Sequence, residues 1–266
     1  MLCILTLTAA FTACGLEEGY IPTPRILNEP IGVSAFTIAV QSGNELLRDQ
    51  IWAALQVLTY DGAVANLARN WGIDEENIQI PPAPAAIQSL EDEVRPRTLI
   101  VGIDPDMAPL SYHDEGGNFA GFDIDLAEAV SHYFGWELIF FPIDRGAREI
   151  ELASGNVDVL WGGISLTPDI ADRLTVTAGY LQNNQKLVVM TDSRIRRPRH
   201  MPNRTLGVVT ESAAAYVLGN TPDFHDTLGT LIYFESRAQS LDELTAGNLD
   251  AVLMDEVVAT YLFGGN

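Results

Sequence analysis

Positive charge is scarce in this chain. Lys and Arg number 15 against 36 Asp and Glu, a formal charge of −21 with an isoelectric point near 4.3. That balance excludes nucleic acid and anionic lipid surfaces as partners, because binding to phosphate depends on its neutralisation by Lys and Arg. Cysteine is equally sparse, at Cys3 and Cys14 only. If the first residues are removed, Cys14 alone remains, and one thiol makes neither an intrachain disulfide nor a zinc site. The four histidines, His113, His132, His200 and His225, have no i,i+4 or Cys-neighbour spacing of the kind metal ligation uses. No G-x-S-x-G, Walker-type loop or G-x-G-x-x-G occurs, so nucleophilic and phosphate chemistry have no sequence anchor. Long apolar runs are missing too: about ten apolar residues at the front are too few to span a bilayer. Metal, cofactor and nucleic acid are therefore not expected.

What is present is a folded composition, 266 residues with 47% apolar content and 8% aromatics, enough for one large core or two small ones. MLCILTLTAAFTAC has the layout of a signal h-region and cleavage site, the alternative being a core helix. Phe11-Thr12-Ala13-Cys14 resembles a lipobox, with Cys14 as the lipidation site and Phe11 where Leu is usual. One basic cluster, Arg194 to Arg204, goes against the acidic trend and reads as a solvated loop. FTIAVQ (residues 36–41) reads as a strand ended by Ser42-Gly43. Leu47, Ile51, Ala54, Leu55 and Leu58 then define a helix face, and Asp61-Gly62 breaks that helix. Val64, Leu67, Ala68 and Trp71 define a second helix stopped at Gly72. Residues 73–96, rich in Pro and acidic side chains, read as an exposed linker.

From Thr98 strands alternate with helices. TLIVGI and WELIFFPI are strands, and GFDIDLAEAVSHYFG is a helix whose Ile124, Leu126, Ala127, Val130 and Phe134 face a core. A unit then appears twice, ELASGNVD at residues 151–158 and ELTAGNLD at residues 243–250. Each reads as a helix closed by Gly and followed by a buried strand that begins at Asp158 or Asp250. One unit used twice implies two similar α/β lobes, each with a mainly parallel sheet. Ligands in such sheets sit at the carboxyl ends of strands. Three ends stand out: Gly162 to Ser165, with Thr167 as N-cap and Pro168 at the first helical position; Thr210 to Ser212; and Asp255. Their Gly, Ser and helix-terminal N–H groups suit a carboxylate and Asp255 suits an ammonium, while capping is the other role each could fill.

GIDPDMAPLSYHDEGGNFAGFDIDLAEAV, LASGNVDVLWGGISLTPDIADRLTVTAGYLQNNQKLVV and LDAVLMDEVVATYLF together resemble the polar amino-acid solute-binding proteins, the capture subunits of ABC importers (bacterial extracellular solute-binding protein family 3). The resemblance runs from about Thr98 to the C-terminus. Residues 26–72 are similar to that family's C-terminal segment, so the chain reads as a circular permutant joined through residues 73–96; a remnant of a preceding domain is the competing account. The resemblance implies an α/β, two-lobed, type II periplasmic-binding-protein-like fold. The division expected is a signal peptide at 1–13, a lipid-anchored tether at 14–24, lobe 2 at 25–36 and 190–266, and lobe 1 at 37–189. The hinge strands expected are Phe36 to Val40 and Leu187 to Met190. It also implies a site: Ser165 and the Gly163 backbone toward a carboxylate, Ser212 in the matching loop of the second lobe, Asp255 for an α-ammonium, and Asp104 as a side-chain selector. Two departures stand out. Ile170 occupies the place of the family's carboxylate-clamping Arg, leaving Arg173 or Arg145 to replace it, unless these pair with Asp172 or Asp144. Met107 stands where an aromatic is frequent, and its flexibility suits a less selective or more apolar ligand. The function implied is a non-enzymatic, monomeric, lipid-anchored extracytoplasmic protein that passes an amino acid or related small carboxylate to an ABC permease. A cyclohexadienyl-dehydratase-like enzyme using Arg145, Arg173 and Glu211, or a ligand sensor, are the alternatives on this fold.

Overall fold

The computed structural model describes residues 21–85, 95 and 97–264; the expected signal segment and Cys14 lie outside these. The chain opens with a long strand, β1 (Pro24–Phe36), and a short one, β2 (Ala39–Val40). Gly43 turns at φ +86°, a conformation glycine adopts without steric cost. Asn44 then caps α1 (Glu45–Tyr60) through the Leu47 N–H. Gly62, at φ +78°, breaks α1 from α2 (Ala63–Asn70), where the Asp-Gly step placed the break.

Next come β3 (Thr98–Ile103), a small three-stranded sheet of β4 (Asp106–Met107), β5 (Ser111–His113) and β6 (Phe119–Ala120), then α3 (Phe122–Phe134) and β7 (Glu137–Pro142). They are followed by α4 (Arg148–Ala153), β8 (Val159–Leu160), α5 (Pro168–Arg173), β9 (Thr175–Val176) and β10 (Leu181–Met190). The remainder is β11 (Thr205–Val209), α6 (Ala213–Gly219), α7 (Pro222–His225), β12 (Thr230–Phe234), α8 (Arg237–Thr245), β13 (Ala251–Asp255) and α9 (Glu256–Phe263).

Two five-stranded sheets result, in the orders β7-β3-β8-β2-β9 and β12-β11-β13-β10-β1. In each, the first two pairings are parallel and the last two antiparallel. The expected mainly parallel sheets are therefore mixed, because strands arriving from the other lobe run against the resident ones. The repeated unit explains the rest of the likeness. Asp158 accepts from the Ile100 N–H and Asp250 from the Thr205 N–H, both at 2.9 Å. Asn156 donates to Glu151 at 2.7 Å and Asn248 to Glu243 at 2.6 Å. The same residues thus fasten the same turn in both lobes, with the strands starting one residue later than read from sequence.

Two expectations change. Leu187 to Met190 are not a hinge: β10 pairs with β1 from Leu181 onward and with β13 from Gln185, which puts residues 181–189 in the second sheet. The crossings fall at residues 36–39 and 176–181, where Thr37 donates from Oγ1 to the Thr177 carbonyl at 2.9 Å. Residues 73–83 keep most of their side chains exposed, as a linker should, but are fastened to the first lobe. Ile73 and Ile80 are buried in the main core, Ile78 bridges Leu181, and Ala83 N–H donates to Gln56 O. That core joins α1, α2 and α3 to the first sheet around Phe36, Phe122, Trp161 and Tyr180, each worth about 2–3 kcal/mol of burial. Ile195 and Met201 anchor the basic loop from beneath, and its arginines stay exposed apart from local contacts such as Arg204 with Asp250.

Candidate functional site

Between the lobes lies a cavity of about 540 Å³. One wall is the turn after β8. Gly163 has φ +68°, and a Cβ there would meet the Met107 side chain at 2.9 Å, so the turn and the β4 loop require glycine to approach this closely. Thr167 caps α5 by accepting from the Ile170 N–H at 3.1 Å, with Pro168 following, as the sequence implied. The facing wall is the β11–α6 turn, where Glu211 holds a left-handed φ of +53°, a strained state for a non-glycine residue that clusters at functional sites.

Of the eight anticipated residues, Arg145, Gly163, Ser165, Arg173 and Ser212 line this cavity. Asp104 opens instead onto an adjoining one with Arg145 and Glu211, and Met107 and Asp255 are buried. Several roles shift. Ser212 is spent as an N-cap: its hydroxyl donates to Val209 O at 2.7 Å and accepts from Ala215 N at 3.2 Å. Arg173 makes a two-pronged pair with Glu149 at 2.8 and 2.6 Å and a third contact with Asp169 at 2.5 Å. Its fork is occupied by these two carboxylates, and Asp172 is not among its ion-pair partners. Arg145 pairs with Asp104 at 2.8 Å and Asp106 at 3.4 Å rather than with Asp144.

Asp255 departs furthest from expectation. Its Oδ1 accepts from Asn183 at 2.6 Å and Gln185 at 2.9 Å, and its Oδ2 from Arg237 at 2.8 Å. Burial alone would raise this carboxyl's pKa; Arg237 and the two amides overcome it and hold it below the usual carboxylate range. Arg237 itself is 5% exposed. It also donates to the Asp106 carbonyl and to Met107 Sδ, so one guanidinium ties the second lobe to the first.

Arg237 and Arg148 were not singled out from the sequence. Arg148 is half of a pair with Arg145, both on Oδ2 of Asp104, at 2.7 and 2.8 Å. Burial lowers the Arg148 pKa to about 10, with Asp104 opposing that shift. The repeat carried a signal for Arg237: aligning ELASGN with ELTAGN puts Arg237 in register with Arg145. Among the described residues no His, Cys, Asp or Glu group is arranged to hold a metal, and no helix is long and apolar enough to cross a membrane.

Similar proteins have this architecture. The chain is 26% identical over 171 residues to the arginine-binding extracellular protein ArtP of Bacillus subtilis (strain 168), covering 64% of this chain and 66% of that protein. Its fold matches an ABC uptake transporter substrate binding protein of Streptococcus pneumoniae with bound histidine, at TM-score 0.60 and 26% identity over 67% of this chain and 72% of that one. An ancestral arginine-binding protein bound to arginine matches at TM-score 0.58 and 28% identity, over 65% and 76%. The two-sheet α/β architecture is thus of the type II periplasmic-binding-protein kind. The model of the bacterial extracellular solute-binding proteins, family 3, matches residues 99–257, and the chain belongs to that family.

Proposed function

We propose that this chain is an extracytoplasmic solute-capture subunit of an ABC importer, holding an amino acid or related small carboxylate between its lobes. The observation that carries this is the inter-lobe cavity, walled by Arg145, Arg148 and Ser165 on one side and by Glu211 and Ser212 on the other. Arg145 and Arg148 meet on Oδ2 of Asp104, with Arg145 also on Asp106, and their remaining N–H groups are donors for an anion. They take over the role that the resemblance assigned to a residue at position 170. The dehydratase alternative loses support because Arg173 is committed to Glu149 and Asp169. Dependence on circular permutation is part of the proposal. β1 and β2 precede the family-matched region, yet they supply an edge strand to one sheet and an internal strand to the other.

Thermal unfolding of the full chain with each common amino acid and a set of small carboxylates tests the capture role. A ligand at a hundredfold over its Kd adds about 2.7 kcal/mol and raises the midpoint by roughly 5 to 10 °C. The shift should survive in Arg173→Ala, whose ion pairs lie in solvent and are screened by it, and should fall in Arg148→Met. No shift with any compound, or loss in Arg173→Ala alone, would contradict the assignment. Lipid anchoring at Cys14 is likewise proposed; palmitate labelling in a bacterial host should be lost in Cys14→Ser, and labelling that persists would refute it.

A further inference from the structure

We propose that the arginine face at the outer end of the second lobe docks on an anionic lipid surface and seats the tethered protein on its membrane. This goes beyond the capture reading and uses the proposed anchor at Cys14 to choose the occupant.

The face is built from one loop and one strand. Between Asp192 and Glu211 the chain has no acidic residue, while Arg194, Arg196, Arg197 and Arg199 fall within six consecutive positions. All four are exposed. The loop is ordered beneath them: the Arg196 N–H donates to His200 Nδ1 at 3.1 Å and the His200 N–H to Arg197 O at 3.0 Å. Arg25 joins from β1. Its guanidinium donates to Ile195 O at 2.6 Å, and Arg196 reaches the same carbonyl at 3.2 Å. Arg25, Arg196 and Arg197 border one open cavity of about 490 Å³, and the planar guanidinium fork matches phosphate oxygens. The acids of this face are Glu29, at the same cavity, and Asp192. Arg204, further along the loop, is on Asp250, whereas Arg194, Arg197 and Arg199 make no ion pair among the described residues. Their charge is therefore free for a partner outside the fold.

Position decides the occupant. The Thr191 N–H donates to Thr23 O at 2.8 Å and the Thr23 N–H to Thr191 Oγ1 at 3.0 Å, so the chain enters the fold at the root of this loop. Cys14, outside the described residues, precedes Pro24 by ten positions, a span of at most about 35 Å. A lipid at Cys14 keeps the face within reach of headgroups, where a basic segment is drawn to anionic lipid and the tether makes the contact intramolecular. The exclusion of anionic surfaces drawn from the charge of −21 is an average over the whole chain. Screening within about 8 Å at physiological salt leaves the face in contact to decide. β10 runs ten residues from the crossing at Leu181 to the root of the loop at Met190, roughly 30 Å at the rise of a strand. Docking at this end holds the crossings and the inter-lobe cavity clear of the membrane.

Co-sedimentation of the full, unacylated chain with vesicles tests it. Mixed vesicles of phosphatidylcholine and phosphatidylglycerol should bind the protein about tenfold more tightly than phosphatidylcholine alone, and added salt should remove the difference. Arg194→Gln, Arg197→Gln and Arg199→Gln together should abolish the preference without moving the unfolding midpoint, since these side chains pair with nothing in the described fold. Equal binding to the two vesicles, a preference that salt leaves intact, or one that survives in the triple variant overturns the inference. So does capture by poly-glutamate with no vesicle preference, which assigns the face to an acidic protein instead. Because the protein carries no lipid in this assay, a vesicle preference alongside failed palmitate labelling overturns the anchor and leaves this inference standing.

Discussion

Arg237→Met should cost about 3–5 kcal/mol of stability, the usual effect of removing one partner from a buried ion pair. At this chain length that lowers the unfolding midpoint by roughly 6 to 20 °C. The loss has two sources. Asp255, 2% exposed, keeps its amide partners but loses its counter-charge, and the Asp106 carbonyl and Met107 lose the donor that joins the lobes. Adding Asp255→Asn should recover most of the loss, because both charges are then gone. The pH dependence carries a definite sign. In the wild type the folded Asp255 pKa is depressed, so its contribution is present above the unfolded carboxylate range and lost as pH falls through the folded value. In Arg237→Met the unpaired, buried carboxyl takes up a proton more readily than in the unfolded chain, so the variant weakens as pH rises. The gap between the two proteins should therefore widen from pH 5 to pH 8. Denaturant titrations at both values would show it, and a gap that narrows would contradict the pairing.

Asp123→Asn should remove a pH slope of comparable size. Asp123 is fully buried at the start of α3, and burial raises its pKa to about 7, opposed by the Tyr180 hydroxyl donating to Oδ1 at 2.8 Å. Oδ2 has no partner among the described residues. Between the unfolded value near 3.9 and the folded value the native state binds the extra proton, so stability falls as pH rises through this window and levels off above it. At about 1.4 kcal/mol per pH unit, crossing from pH 5 to 7 costs about 3 kcal/mol. Asparagine resembles the protonated acid in shape and charge. The variant's stability at pH 8 relative to pH 5 should exceed the wild type's by about that amount, and parallel profiles would show that Asp123 stays ionised. Because Tyr180 lies in the crossing between β9 and β10, this acid also fastens one crossing segment to the first lobe.

The regular parts of the fold were legible because periodicity and turn chemistry agreed. The breaks at Asp61-Gly62 and Gly155, the cap at Thr167, and the twice-used ELxxGNxD turn all stand where their residues demand. The crossing strand was misplaced for an electrostatic reason. The first half of β10, LQNNQK, is polar, and Asn183 and Gln185 are buried against Asp255 instead of alternating toward water. Only the apolar LVVM looked like a strand. Ile73, Ile78 and Ile80 follow no helical or strand period, so their packing against the first lobe was hidden in what resembled a linker. At the site, the absence of an arginine at Ile170 was readable at once. Its consequence was not, because Arg148 and Arg237 act through Asp104 and Asp255, partners far away in sequence that only the folded lobes bring together.

Where a bound acid sits is the most direct test of the account. A crystal structure of the full chain grown with whichever amino acid or small carboxylate most raises its unfolding midpoint should place the ligand carboxylate against Arg148 and Ser165 in the inter-lobe cavity, with Arg237 still on Asp255. The acid bound outside the inter-lobe cavity, or Arg237 displaced from Asp255 by the ligand, would contradict it.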